Sequence, residues 1–198
     1  MRRATLVAAL ALTLMVAAGA APAFSGDADA GRAKSKPCAA CHGPDGNAKI
    51  PGTPSLAGQQ TMFTHWQLVK FRDGRRKNDQ MTKFVAKLPD EDMADLAAFY
   101  AAQTPKQRPA KLDPQKVADG KKAAEFYRCT SCHQPDLSGK EEIPRLAGQD
   151  LAYLKKLIRG FKEKTASDLD GTMTTSAQPI TEEDIEILAQ FLASLGGS

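Results

Sequence analysis

The end of the chain carries the clearest pattern. Ile185, Leu188, Ala189, Leu192 and Leu195 recur with the spacing of one helical face, which predicts a helix over about Glu182 to Leu195 with one side buried. Thr181 and Asp184 stand at capping-box spacing where it starts, with Asp in place of Glu. The same reasoning predicts helices over about Gln60 to Arg72, Asp90 to Ala102 and Asp150 to Phe161, with Phe63, Leu68 and Phe71 of the first partly inward. Pro89 stands where Thr181 stands in the other copy, which would pass the cap to Asp90. A short helix is expected ahead of each cysteine motif described below. No alternating run is long enough for a sheet, so the fold class is all-α.

These helices come in two sets. Cys38, Cys41 and His42 match Cys129, Cys132 and His133 at an offset of 91. Pro54 to Gln59 (Pro-Ser-Leu-Ala-Gly-Gln) matches Pro144 to Gln149 (Pro-Arg-Leu-Ala-Gly-Gln) at 90, and Leu88 to Phe99 matches Ile180 to Phe191 at 92. The chain is therefore an internal repeat. It divides into a domain over 24–104, a linker over 105–116 and a domain over 117–198. The joining stretch from Gln103 to Lys116 holds Pro105, Pro109 and Pro114 among polar residues and reads as semi-extended.

Residues 1–23 read as a cleaved secretory signal peptide. Arg2 and Arg3 are followed by an apolar run from Ala4 to Val16 and by Ala21-Pro22-Ala23, a small-residue cleavage site. The predicted location is the periplasm. An uncleaved anchor is the weaker reading, because the segment is Ala-rich and contains Thr5, Thr13 and Gly19. No other stretch is apolar enough to span a bilayer.

Charge adds a polarity to the two halves. The net charge of +4 falls to +2 without Arg2 and Arg3. Residues 24–110 hold 13 basic and 9 acidic side chains, and residues 111–198 hold 12 and 14. The resulting dipole can orient the molecule against a partner. Nothing in the distribution points to nucleic acid. The basic run from Lys70 to Lys77 is expected to be a solvated face, with partner docking as the alternative.

All four cysteines fall in two Cys-x-x-Cys-His motifs, the attachment pattern of c-type haem. Each thiol, Cys38 and Cys41 or Cys129 and Cys132, adds to one vinyl group, and the adjacent histidine supplies an axial nitrogen. A zinc site formed by both pairs would leave His42 and His133 as accidents. A redox dithiol lacks the surrounding βαβ pattern, and a disulfide would staple a tight loop. Two covalent haem groups are therefore expected, with His42 and His133 as iron ligands. Pro54 and Pro144 follow at similar distances. Their carbonyls are candidates to accept the histidines' other N–H, with loop rigidity as the alternative.

The repeat also selects a sixth ligand. The second copy holds one methionine, Met173, and its one histidine is already used. Met173 matches Met81, and both are expected in polar loops before the last helix. Met62 and Met93 match Ala152 and Ile185 and read as core. His65 matches Lys155 and reads as structural. His/Met ligation closes both faces of the iron, raises the potential and leaves electron transfer.

The motifs around Cys38 to Gly46, Pro54 to Gln59, Asn78 to Met81, Pro144 to Gln149 and Met173 resemble the cytochrome c4 family, dihaem class I cytochromes c of the bacterial periplasm. The resemblance covers nearly the whole chain after the leader. It implies two tandem cytochrome c-like domains packed about a pseudo-twofold with haems facing each other. It also implies electron delivery toward a terminal oxidase and loose association with the membrane. Gln134 departs from Gly43 of the first copy and predicts an altered loop there. An upstream cytochrome complex or a dehydrogenase would supply the electrons. The competing reading is the dihaem cytochrome subunit of a dehydrogenase, such as flavocytochrome c sulphide dehydrogenase. A dihaem peroxidase would need an open sixth site, against which Met81 and Met173 argue. No catalytic residues are expected.

Overall fold

The computed structural model describes residues 26–196, so the leader assigned to residues 1–23 lies outside the described residues. The first half contains α1 (Ala28–Lys34), a 3-10 turn (Lys36–Cys38), α2 (Ala39–His42), α3 (Thr61–Arg72), α4 (Asp79–Val85) and α5 (Asp90–Ala101). The second contains α6 (Pro114–Phe126), α7 (Thr130–His133), α8 (Leu151–Lys162), α9 (Thr172–Ala177) and α10 (Glu182–Ser194). Among the described residues no strand forms, and extended pairing is limited to an isolated bridge between Lys140 and Ile143. The four helices with predicted spans, α3, α5, α8 and α10, match them to within a residue, whereas α6, expected only as a short helix ahead of its cysteine motif, runs for 13 residues. α4 and α9 were not anticipated, being too short and polar to show a period.

Helix starts follow from their caps. Asp27 Oδ1 accepts from Asp29 N and Ala30 N at 2.8 and 3.1 Å, and Asp113 Oδ1 accepts from Gln115 N and Lys116 N at 2.8 and 3.3 Å. Pro114 is the first residue of α6, so the end of the expected linker is already helical. The capping box at α10 forms: Asp184 N donates to Thr181 Oγ1 at 3.1 Å, and Thr181 N donates to Asp184 Oδ2 at 3.4 Å. The expected transfer of the α5 cap to Asp90 does not occur. Pro89 is the N-cap without a side-chain bond, and the Asp90 carboxylate instead accepts from Arg72 Nη1 at 2.6 Å.

Each half is built on a crossing of its first and last helices. α1 packs on α5 and α6 on α10. Both crossings close at a glycine. A Cβ on Gly31 would lie 2.1 Å from the Asp95 carbonyl oxygen, and one on Gly120 would lie 2.0 Å from that of Ile187. Only a residue without a side chain lets the backbones approach so closely. α3 and α8 then pack on α5 and α10. The second core gathers Leu154 and Ile158 with Ile185, Leu188, Ala189 and Leu192, the last four buried as the periodicity predicted; Leu195 falls past the helix end and is half-buried. The first core gathers Leu96, Phe99 and Tyr100, with Met93 fully buried on α5.

The joining segment is a strap rather than a free tether. Arg108 donates to Thr53 O at 2.8 Å and Ile50 O at 3.0 Å in the first half, and its Nη2 lies 3.2 Å from Asp150 Oδ2 in the second. Both side chains of that ion pair are 10% exposed. The basic run from Lys70 to Lys77, which begins in the last turn of α3, is only partly solvated, contrary to expectation. Lys70 is buried and its ammonium donates to Ser167 O of the other half. Arg76 lies over the Phe71 ring and donates to Tyr153 OH at 2.9 Å. Arg75 and Lys77 remain exposed.

Candidate functional site

Each cysteine motif is one turn of helix, which brings the two thiols, three residues apart, to one side and sets the histidine just beyond. Cys38 ends the 3-10 turn, Cys41 and His42 lie on α2, Cys129 is the N-cap of α7, and Cys132 and His133 lie on it. No disulfide joins any of the four cysteines, and no group of three or more His, Cys, Asp or Glu side chains is gathered among the described residues. A single zinc held by both cysteine pairs therefore has no cluster to occupy. The Tyr100 hydroxyl stands beside the Cys38 thiol, and burial pushes the Cys38 and Cys129 thiols up from their ordinary pKa.

Both histidines are buried, 7% and 8% exposed. Each directs Nδ1 at a proline carbonyl: His42 to Pro54 O at 2.9 Å and His133 to Pro144 O at 2.8 Å. A carbonyl only accepts, so Nδ1 carries the hydrogen and Nε2 keeps its lone pair. Burial drives both imidazoles toward the neutral form, below their ordinary pKa, while the carbonyl bond works the other way. Two neutral imidazoles with a defined free nitrogen, each beside a pair of thiols, are the donor set that a c-type haem requires. A second observation fits a cofactor bearing carboxylates. Ser55 Oγ and Arg145 Nε, at matching positions of the repeat, are buried without a protein partner.

Met81 and Met173 are half-buried in the first turns of α4 and α9, rather than in open loops. Met81 N donates to Asn78 Oδ1 at 3.0 Å and Met173 N to Asp168 Oδ2 at 2.5 Å. Asp168 Oδ1 also accepts from Thr174 Oγ1 at 2.8 Å. Cys129 and Met173 border the same apolar cluster of the second half; Cys38 borders that of the first, which Met81 does not join. His65 lies half-buried on α3 with its ring edge-on to Trp66, centroids 5.8 Å apart.

Between the halves lies a reciprocal clamp that no motif announced. Gln149 Oε1 accepts from Ser55 N at 2.8 Å, and its Nε2 donates to Ser55 O at 2.9 Å. Gln59 Oε1 accepts from Arg145 N at 2.7 Å, and its Nε2 donates to Arg145 O at 3.2 Å. The two glutamines are matching residues of the repeat, as are Ser55 and Arg145, so the clamp has pseudo-twofold symmetry. The repeated glutamine was visible in the sequence; what it grips was not, because its partner is the other copy's backbone.

Comparison with known proteins places the chain. Cytochrome c4 of Pseudomonas aeruginosa is 36% identical over 182 residues, covering 86% of this chain and 90% of that protein. This chain belongs to the cytochrome c4 family. Residues 117–196 match the family model described as cytochrome c, and residues 19–99 match that described as cytochrome c oxidase, cbb3-type, subunit III. The crystal structure of reduced recombinant cytochrome c4 from Pseudomonas stutzeri superposes with a TM-score of 0.80 at 31% identity, covering 86% of this chain and all of that one. A protein of Thiomonas intermedia named thiosulfate dehydrogenase electron acceptor is 32% identical over 168 residues, covering 79% of this chain and 77% of that protein. This cytochrome c4-like protein carries two covalently attached haem c groups in tandem cytochrome c domains, and it transfers electrons rather than catalysing a reaction. No helix among the described residues is long and apolar enough to cross a membrane.

Proposed function

We propose that this cytochrome c4-like protein shuttles single electrons in the bacterial periplasm, from an upstream cytochrome complex or dehydrogenase toward a terminal oxidase. The domains are 24–104 and 117–198, joined by 105–116. Cys38 and Cys41 hold one haem by thioethers, and Cys129 and Cys132 the other. His42 and Met81 would ligate the first iron, and His133 and Met173 the second. The observation that carries this is the pair of histidine–proline bonds, which fix both imidazoles with Nε2 available.

The haem supplies reversible one-electron uptake at its iron. The chain's own residues set how readily that happens. Pro54 O and Pro144 O hold the rings in orientation, and their pull on the Nδ1 hydrogen makes each imidazole a stronger donor. The thioethers of Met81 and Met173 are neutral and soft and favour the reduced form. Apolar surroundings, such as the second core that Met173 borders, disfavour the extra charge of the oxidised state.

Met81→Ala and Met173→Ala each lower the potential of one haem and open that iron to carbon monoxide; redox titration and carbon monoxide difference spectra read both effects. Two unchanged haems in either variant would reject the ligand assignment.

A second reading makes the protein the dedicated acceptor of a dehydrogenase. What favours it is the similarity to the Thiomonas protein named thiosulfate dehydrogenase electron acceptor. Mixing the reduced protein with oxidase-containing membranes separates the two. Rapid oxidation supports the shuttle; no oxidation, with a dehydrogenase that copurifies and reduces the protein, supports the acceptor.

A further inference from the structure

The carbonyl that receives each histidine is one end of a peptide group whose other end crosses the interface. Pro54 C=O and Ser55 N–H belong to one peptide group: the oxygen accepts from His42 Nδ1 at 2.9 Å and the N–H donates to Gln149 Oε1 at 2.8 Å. Pro144 C=O and Arg145 N–H repeat the arrangement, joining His133 at 2.8 Å to Gln59 Oε1 at 2.7 Å. Two continuous chains therefore run from an imidazole, through one peptide, to a carboxamide of the opposite half.

We propose that Gln149 and Gln59 are positioning residues that tune the haem of the opposite domain through these peptides. This rests on the assignment of His42 and His133 as axial ligands. An acceptor on a peptide N–H shifts electron density toward the oxygen of the same peptide. The oxygen then draws harder on the Nδ1 hydrogen, and the imidazole becomes a more electron-rich ligand. That stabilises the oxidised iron and lowers the potential. Each glutamine is built to hold its oxygen in place. Gln149 Oε1 also accepts from Asp150 N at 2.9 Å, and Gln59 Oε1 from Gln60 N at 3.0 Å. Their Nε2 groups bond Ser55 O and Arg145 O, so neither carboxamide can flip without setting donor against donor. At 6% and 8% exposure, Gln59 and Gln149 leave little room for water to replace them.

The test is a redox titration of each haem in the full-length holoprotein, with Gln149→Leu and Gln149→Glu beside the wild type. Gln149→Leu removes the acceptor and raises the first haem's potential, by about threefold in its reduction equilibrium, or about 30 mV for one electron. Gln149→Glu keeps an acceptor, now charged, and lowers it. The second haem shifts less in both. Gln59→Leu reverses the pattern, raising the second haem above its wild-type value. Mere loosening of the interface would admit water and move both variants downward in both haems, which would overturn the proposal. Nuclear magnetic resonance of the reduced protein provides the independent check. Ring-current-shifted His42 signals, with an Nδ1–H resonance that moves in Gln149→Leu, are expected. Shifted ring signals with unmoved potentials would overturn the relay alone; unshifted ring signals in the wild type would overturn the ligand assignment and the relay together.

Discussion

The first half of the molecule turns past its histidine through Gly43, at φ +81 and ψ 153. The second makes the same turn through Gln134, at φ +72 and ψ 159. The expected change of loop does not occur: Gln134 adopts a conformation that glycine takes freely and side chains avoid. Three residues on, Gly46 at φ +75 corresponds to Leu137 at φ +58, and each carbonyl accepts the same two N–H groups, from Leu56 and Ala57 or Leu146 and Ala147. The exchange is linked to packing. A Cβ on Gly46 would lie 2.8 Å from the Tyr100 ring, whereas the matching residue in the second half is the smaller Leu192. Burial of Leu137 offsets its backbone cost. The turn is thus held by what surrounds it, and two residue sets satisfy the same surroundings.

That comparison can be broken most sharply where the halves agree. Gly31→Ala and Gly120→Ala each force a Cβ into a backbone carbonyl, and each costs more than about 3 kcal/mol, measured by denaturant unfolding of the holoprotein. Equal losses sustain the equivalence of the two crossings; a tolerated alanine in either half removes it.

The next effect concerns what ties the halves together. Arg108→Leu leaves the Asp150 carboxylate nearly buried without its cation, a cost of about 2 kcal/mol to the docking of the domains. Urea titration followed by separate haem signals would then show two transitions where the wild type shows one.

A smaller change of opposite sign follows from Gln134. Gln134→Gly relieves the backbone and gains about 1 kcal/mol after the added freedom of the unfolded chain is counted. The same denaturation experiment reads it, and a loss of stability would contradict the strain.

The least effect is acidic. The Lys106 ammonium holds Asp45 down at about 2, and Lys34 holds Asp95 below its ordinary value. Carboxylates depressed in the fold stabilise it above about pH 4, and that contribution is lost as pH falls through the lower folded values. Thermal midpoints should be level from pH 7 to 5 on this account and drop between about pH 4 and 2, less steeply for Asp45→Asn. Asp95 corresponds to Ile187; the second half instead pairs its first and last helices through Lys116 Nζ and Glu186 Oε1, 3.6 Å apart.

The sequence by itself determined the doubling, four of the long helices and the attachment motifs, and it put Met81 and Met173 forward over Met62 and Met93 as candidates. These rest on local spacing and on matching positions, which a single chain displays. It also supplied the proline carbonyls as candidates, and the geometry bears them out. It did not reveal α4 and α9, whose few polar turns carry no period and are held by Asn78 and by contacts with α3 and α8. Nor did it reveal that Lys70 is buried, that Arg108 pins the strap, or that Gln59 and Gln149 read each other's domain. Those roles depend on residues some ninety positions away or on the opposite copy, and a hydrogen bond to a distant backbone leaves no pattern along the chain. Only the docking of one half on the other decides them.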